Sequence, residues 1–82
     1  MTAQSRDGAD ERTYRAEVGA RLRHQRAERR WTQARLGQLA GVQGQLVSAY
    51  EPGRIPVDPA VLAALAAALC VPVGDLVEGR TR

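Results

Sequence analysis

The chain has 82 residues, 44% of them apolar, and a formal net charge of +3, which describes one domain with a small core. Only Trp31, Tyr14 and Tyr50 are aromatic, while Ala, Leu and Arg abound, so a β-sandwich is excluded and an all-α fold is predicted. A single cysteine, Cys70, excludes an internal disulfide, and the absence of any Cys/His cluster leaves no metal and no cofactor to expect.

Residues 1–12 are polar, charged and aperiodic, and a disordered N-terminal tail is expected there. The domain is expected over residues 13–79, with 80–82 as a C-terminal tail. Tyr14, Val18 and Leu22 recur at i, i+4 and predict a first helix running to about Arg29. Thr32 reads as the N-cap of a second helix over residues 33–40, with Leu36, Leu39 and Ala40 on its buried side and Gly41 ending it. A third short helix is predicted over about 43–51, burying Val47 and Tyr50 and closed by Pro52-Gly53. Arg54 to Val57 is a loop. Asp58 followed by Pro59 is a strong helix start, and the fourth helix runs to about Leu69 with the stripe Val61, Leu62, Leu65 and Leu69. Pro72 interrupts it before a last short helical turn over 73–77.

The longest apolar run, Ala60 to Val73, is too short for a membrane span, and the N-terminus carries no signal-like segment, so a cytoplasmic protein is expected. Charge is unevenly distributed. Residues 12–35 hold eight arginines against Glu17 and Glu28, a local balance of +6, and lysine is absent from the chain. A phosphate-binding face has this composition, and so does a solvated arginine-rich helix; charge alone leaves both open.

Residues 33–53 are the most informative stretch. Two short helices joined by a tight turn cross steeply and present the second one outward. Gly41 suits the turn. Gly37 costs its helix about 1 kcal/mol relative to alanine, and a close crossing of the two helices is a physical reason to keep it.

Taken in order, Leu22-Arg23, Arg26, Thr32-Gln33, Leu36, Leu39-Ala40-Gly41-Val42, Ser48, Tyr50-Glu51, Gly53, Ala68-Leu69, Val71 and Asp75-Leu76 resemble the phage-repressor and Cro-like helix-turn-helix family, also called the xenobiotic-response-element family. The resemblance covers about residues 18–78 and implies a compact five-helix, lambda-repressor-like DNA-binding domain. It implies a transcriptional regulator, a repressor by expectation, that places the third helix in the major groove of double-stranded DNA as a homodimer.

Gln33 matches a glutamine that in the family holds a DNA phosphate and braces the recognition helix, and a helix N-terminus suits an anion. Thr32 either adds a hydroxyl contact or serves only as a cap. Gln43, Gly44, Gln45, Ser48 and Ala49 form the expected outward face of the third helix. Gln45 is the candidate base reader, since an amide bonds adenine N6 and N7 together. Arg54 is expected on a phosphate. Arg26 and Glu51 match a family salt bridge and are expected to be structural. The sequence departs from the family at Gly44, Leu46 and Ala49, which leave the third helix few long polar side chains, and at Cys70, which stands where a glycine commonly caps the fourth helix.

The weakly polar third helix motivates an alternative: a protein-interaction module of the same fold, antitoxin-like or an accessory regulator, with a polypeptide partner and weak DNA binding. Catalysis is not expected. His24, the only histidine, lies among arginines with no acid or nucleophile arranged around it. The alanine-rich fourth helix and the segment 71–77 carry little charge and are the expected subunit interface.

Overall fold

The computed structural model describes residues 3–78, with side chains from Asp10 onward. Five helices follow one another: α1 (Ala3–Glu28), α2 (Gln33–Ala40), α3 (Gly44–Tyr50), α4 (Pro59–Leu69) and α5 (Val73–Val77). No strand occurs among the described residues. The all-α, five-helix expectation holds, and the bounds of α2 through α5 fall within a residue of those read from the sequence.

The N-terminal expectation needs correction. Residues 3–12, expected to be disordered, continue α1 as helix. Extending an existing helix adds one hydrogen bond per residue fixed and avoids the cost of nucleation. The Glu11–Arg15 pair, 3.2 Å apart one turn along, supports the extension. The expected C-terminal tail, 80–82, lies outside the described residues.

The core comprises Val18 and Leu22 from α1, Leu36 from α2, Val47 and Tyr50 from α3, Leu62, Leu65, Ala66 and Leu69 from α4, and Leu76 from α5. Trp31, Ala40, Val42 and Val61 pack at its edge. Two expected core positions are exposed instead: Tyr14, which precedes the first buried turn of α1, and Leu39, on a flank of α2.

Among the described residues, two aliphatic side chains, Val18 and Leu22, anchor α1, and arginines complete its inner face. Arg21 donates to Leu76 O at the end of α5 (3.2 Å), and Arg29 donates to Leu69 O at the end of α4 (2.7 Å). Helix C-termini present unpartnered carbonyls and partial negative charge, so these cations complement both. Arg29 also stands over the Trp31 ring, 5.8 Å from its centroid.

The first four helices close in the same way. A residue with positive φ follows each helix, and the next N–H reaches back to the carbonyl five residues earlier. The pairs are Trp31 to Arg26 (3.2 Å), Val42 to Gly37 (2.7 Å), Arg54 to Ala49 (3.0 Å) and Val71 to Ala66 (3.0 Å). The positive-φ residues are Arg30, Gly41, Gly53 and Cys70. Cys70, at φ 60°, thus adopts the conformation that glycine takes most cheaply.

Candidate nucleic-acid interface

Thr32 starts α2 as an N-cap: its Oγ1 accepts from the Arg35 N–H at 2.9 Å. The turn after α2 brings α3 across it at a spacing set by small residues. A Cβ at Gly37 would strike the backbone carbonyl of Val42, and one at Gly44 would stand 3.1 Å from Ala34 Cα. Gly37 therefore has the close-crossing role its sequence position suggested. Gly44, which weakens α3 in isolation, holds the start of α3 against the start of α2.

This crossing opens a shallow cleft of about 690 Å³ lined by Gln33, Ala34, Gln43, Gly44, Gln45 and Ser48. Five of the eight residues expected to face a nucleic acid are thereby brought together. Gln43 and Gln45 are exposed, and Gln33 and Ser48 are half-buried. The Ser48 hydroxyl donates to Gln45 O at 3.2 Å. The other three lie elsewhere. The Thr32 hydroxyl is engaged in capping, Ala49 is half-buried outside the cleft lining, and Arg54 is exposed beyond the end of α3.

Glu51, just after α3, is 6% exposed and is the buried charge of the molecule among the described residues. Arg26 meets it with two parallel bonds, Nε to Oε2 at 2.7 Å and Nη2 to Oε1 at 3.0 Å. This fork geometry is the strongest form of the pair. The third guanidinium nitrogen, Nη1, donates to Trp31 O at 2.7 Å. The hydrogen bond to Glu51 holds the Arg26 guanidinium above the ordinary arginine value, against the opposing effect of burial. Gln33 Nε2 also donates to Glu51 Oε1, at 3.0 Å. One carboxylate therefore ties α1, α2 and the end of α3 together. An amide nitrogen carries two N–H bonds, so Gln33 keeps one donor for an external acceptor.

Two residues near the cleft escaped the sequence reading. Gly19 packs against the end of α3, where a Cβ would collide with the carbonyls of Tyr50 and Glu51. Arg23 lines a second groove with Gln33, Ser48, Glu51 and Pro52. An interior glycine in a long helix was the available signal for the first. Arg23 is among the residues that carry the family resemblance, but nothing in the sequence gives it a role different from the seven other arginines around it.

No group of His, Cys, Asp and Glu side chains among the described residues has the makings of a metal site. No described helix is long and apolar enough to cross a membrane.

Residues 17–78 match the helix-turn-helix domain family. No curated protein matches the chain significantly. Among solved structures, the clp gene regulator ClgR from C. glutamicum is 33% identical, superposes with a TM-score of 0.72, and aligns over 77% of this chain and 82% of its own. The P22 c2 repressor, solved in complex with a synthetic operator, is 31% identical with a TM-score of 0.72, over 76% of this chain and 94% of its own. With its five helices, its close α2–α3 contact at Gly37 and Gly44 and this family match, the chain belongs to the helix-turn-helix domain family, of the phage-repressor and xenobiotic-response-element type.

Proposed function

We propose that this protein is a sequence-specific DNA-binding transcriptional regulator, acting in the cytoplasm as a repressor, which inserts α3 into the major groove. The observation that carries this reading is the cleft between the starts of α2 and α3, where Gln33, Gln43, Gln45 and Ser48 converge on a rigidly braced helix pair. Gln45 reads a base edge, with adenine the best match for its amide, and Gln43 and Ser48 supply further polar contacts. The free N–H of Gln33 and the start of α2 hold a backbone phosphate. Thr32 and Arg54 flank this surface as phosphate contacts, the small Ala49 lets α3 approach the base pairs closely, and Gly44 meets the DNA through its backbone while it seats α3 on α2. That the related P22 c2 repressor was solved with operator DNA supports the same partner here.

One short recognition helix reads only a few base pairs, so the protein binds as a homodimer on a two-fold site. Ala60, Ala63 and Ala67 on the outer face of α4, with exposed Val73 on α5, offer an uncharged surface for the second copy. Exposed Leu39 and Leu46, on α2 and α3, favour the second reading, in which the same fold docks a polypeptide and DNA binding is weak.

Selection of bound duplexes from a random pool, at near-physiological salt, tests the proposal. An enriched palindrome is expected. Recovery of no preferred sequence, with only weak and salt-sensitive binding, would replace DNA by a protein partner.

A further inference from the structure

The groove lined by Arg23, Gln33, Ser48, Glu51 and Pro52 shares Gln33 and Ser48 with the cleft between α2 and α3, so the two adjoin and together make a trough. Arg23 is the only cationic residue lining either part. It also differs from its neighbours in what it touches. Arg15, Arg21 and Arg26 on the same helix, and Arg29 just past its end, are engaged within the protein: on Gly53 O, Leu76 O, Glu51 and Leu69 O. The Arg23 side chain is exposed and has no hydrogen-bond or ion-pair partner among the described residues.

Its position follows from helix periodicity. Gly19, Arg23 and Arg26 lie at i, i+4 and i+7, on one flank of α1. Gly19 touches the carbonyls at the end of α3, and Arg26 holds Glu51, so this flank faces the C-terminal end of α3. The Glu51 carboxylate would repel an anion in the trough, but Arg26 and Gln33 already neutralise and bond it. Arg23 is left as an uncompensated positive charge beside the amide of Gln33.

We infer that Arg23 is a second phosphate-binding residue, holding a DNA phosphodiester next to the one held at Gln33 and the start of α2. This inference rests on the DNA-binding reading and extends it to α1: the strand backbone runs along the trough past the end of α3. Arg23 then sets affinity and register, and carries no base preference.

The test compares the wild-type chain with Arg23→Ala and Arg23→Lys, using the duplex enriched by selection and an unrelated duplex, across a salt series. Arg23→Ala should raise Kd by about tenfold on both duplexes. It should also lower the slope of log K against log salt by about 0.9, the release of one counterion. Arg23→Lys should keep the slope, since it keeps the charge. An unchanged melting temperature is expected for both variants, because the Arg23 side chain has no partner among the described residues. If the wild-type chain binds and Arg23→Ala matches it in Kd and slope, this inference is overturned and the DNA-binding reading stands. A change in base preference in Arg23→Ala would also overturn it, by placing the side chain on a base edge. A wild-type chain that binds neither duplex overturns both readings.

Discussion

Glu51 ties α1, α2 and the end of α3 together through one carboxylate. Its carboxylate is almost fully buried and accepts from Arg26 and Gln33. Removing one partner of a buried pair leaves an uncompensated charge, so Arg26→Ala should destabilise the domain by about 3 kcal/mol. Urea denaturation measures this directly. A loss below about 1 kcal/mol would mean that Glu51 finds water or Gln33 instead. Gln45 faces the cleft without any role in the fold, and its substitution belongs to recognition alone. Gln45→Ala should leave stability unchanged and relax discrimination at one base pair by about 1–3 kcal/mol. Competition binding across single-base variants of the selected site checks it.

At the scale of elements, the shared closing motif separates the cheap helix ends from the strained ones. Gly41 and Gly53 take positive φ without a side chain to crowd, whereas Arg30 and Cys70 take it with one. An L-residue in this region costs about 1–2 kcal/mol, and glycine returns part of the gain through its looser unfolded chain. Cys70→Gly should therefore stabilise the protein by about 0.5–1 kcal/mol, read as a raised melting temperature. A fall would show that the exposed thiol contributes packing that its position does not suggest. Gly19 makes the opposite case. Its Cβ would meet two backbone carbonyls that the Glu51 bonds hold in place, so Gly19→Ala should cost about 2 kcal/mol.

Across the whole molecule, the arginine run divides by function. Arg21 and Arg29 close the ends of α5 and α4, and Arg26 holds the buried carboxylate. The side chains of Arg23 and Arg54 are exposed and have no protein partner among the described residues. Arg29→Ala should thus lower the melting temperature with no change in the salt dependence of DNA binding. Arg54→Ala should leave the melting temperature alone and reduce the salt slope by about one unit. Calorimetry and salt-titrated binding on the two variants check this division, and an exchange of the two phenotypes would refute it. The spacing of half-sites in a selected palindrome should approach one turn of DNA, about 34 Å, if two recognition helices read the same face.

The sequence by itself determined the class of fold, the number and bounds of the short helices, the α2–α3 crossing and the family. Each of these rests on local signals: Thr32 and Asp58-Pro59 as starts, Gly41 and Gly53 as ends, Gly37 at the crossing, and the Val18, Leu22, Leu36, Val47 and Leu65 core. The pairing of Arg26 with Glu51 was legible through the family resemblance. Tertiary structure alone decided that Arg21 and Arg29 are structural as well, because an arginine's role depends on which carbonyl or carboxylate lies within its long reach. It also decided that Leu39 and Tyr14 stay exposed, since a stripe on a helix shows which face is apolar and not how far its neighbours extend to cover it. The helix over residues 3–12 escaped the sequence for a related reason. A polar stretch has no periodicity to read, yet it becomes helical when it continues a helix whose nucleus Val18 and Leu22 have already fixed in the core.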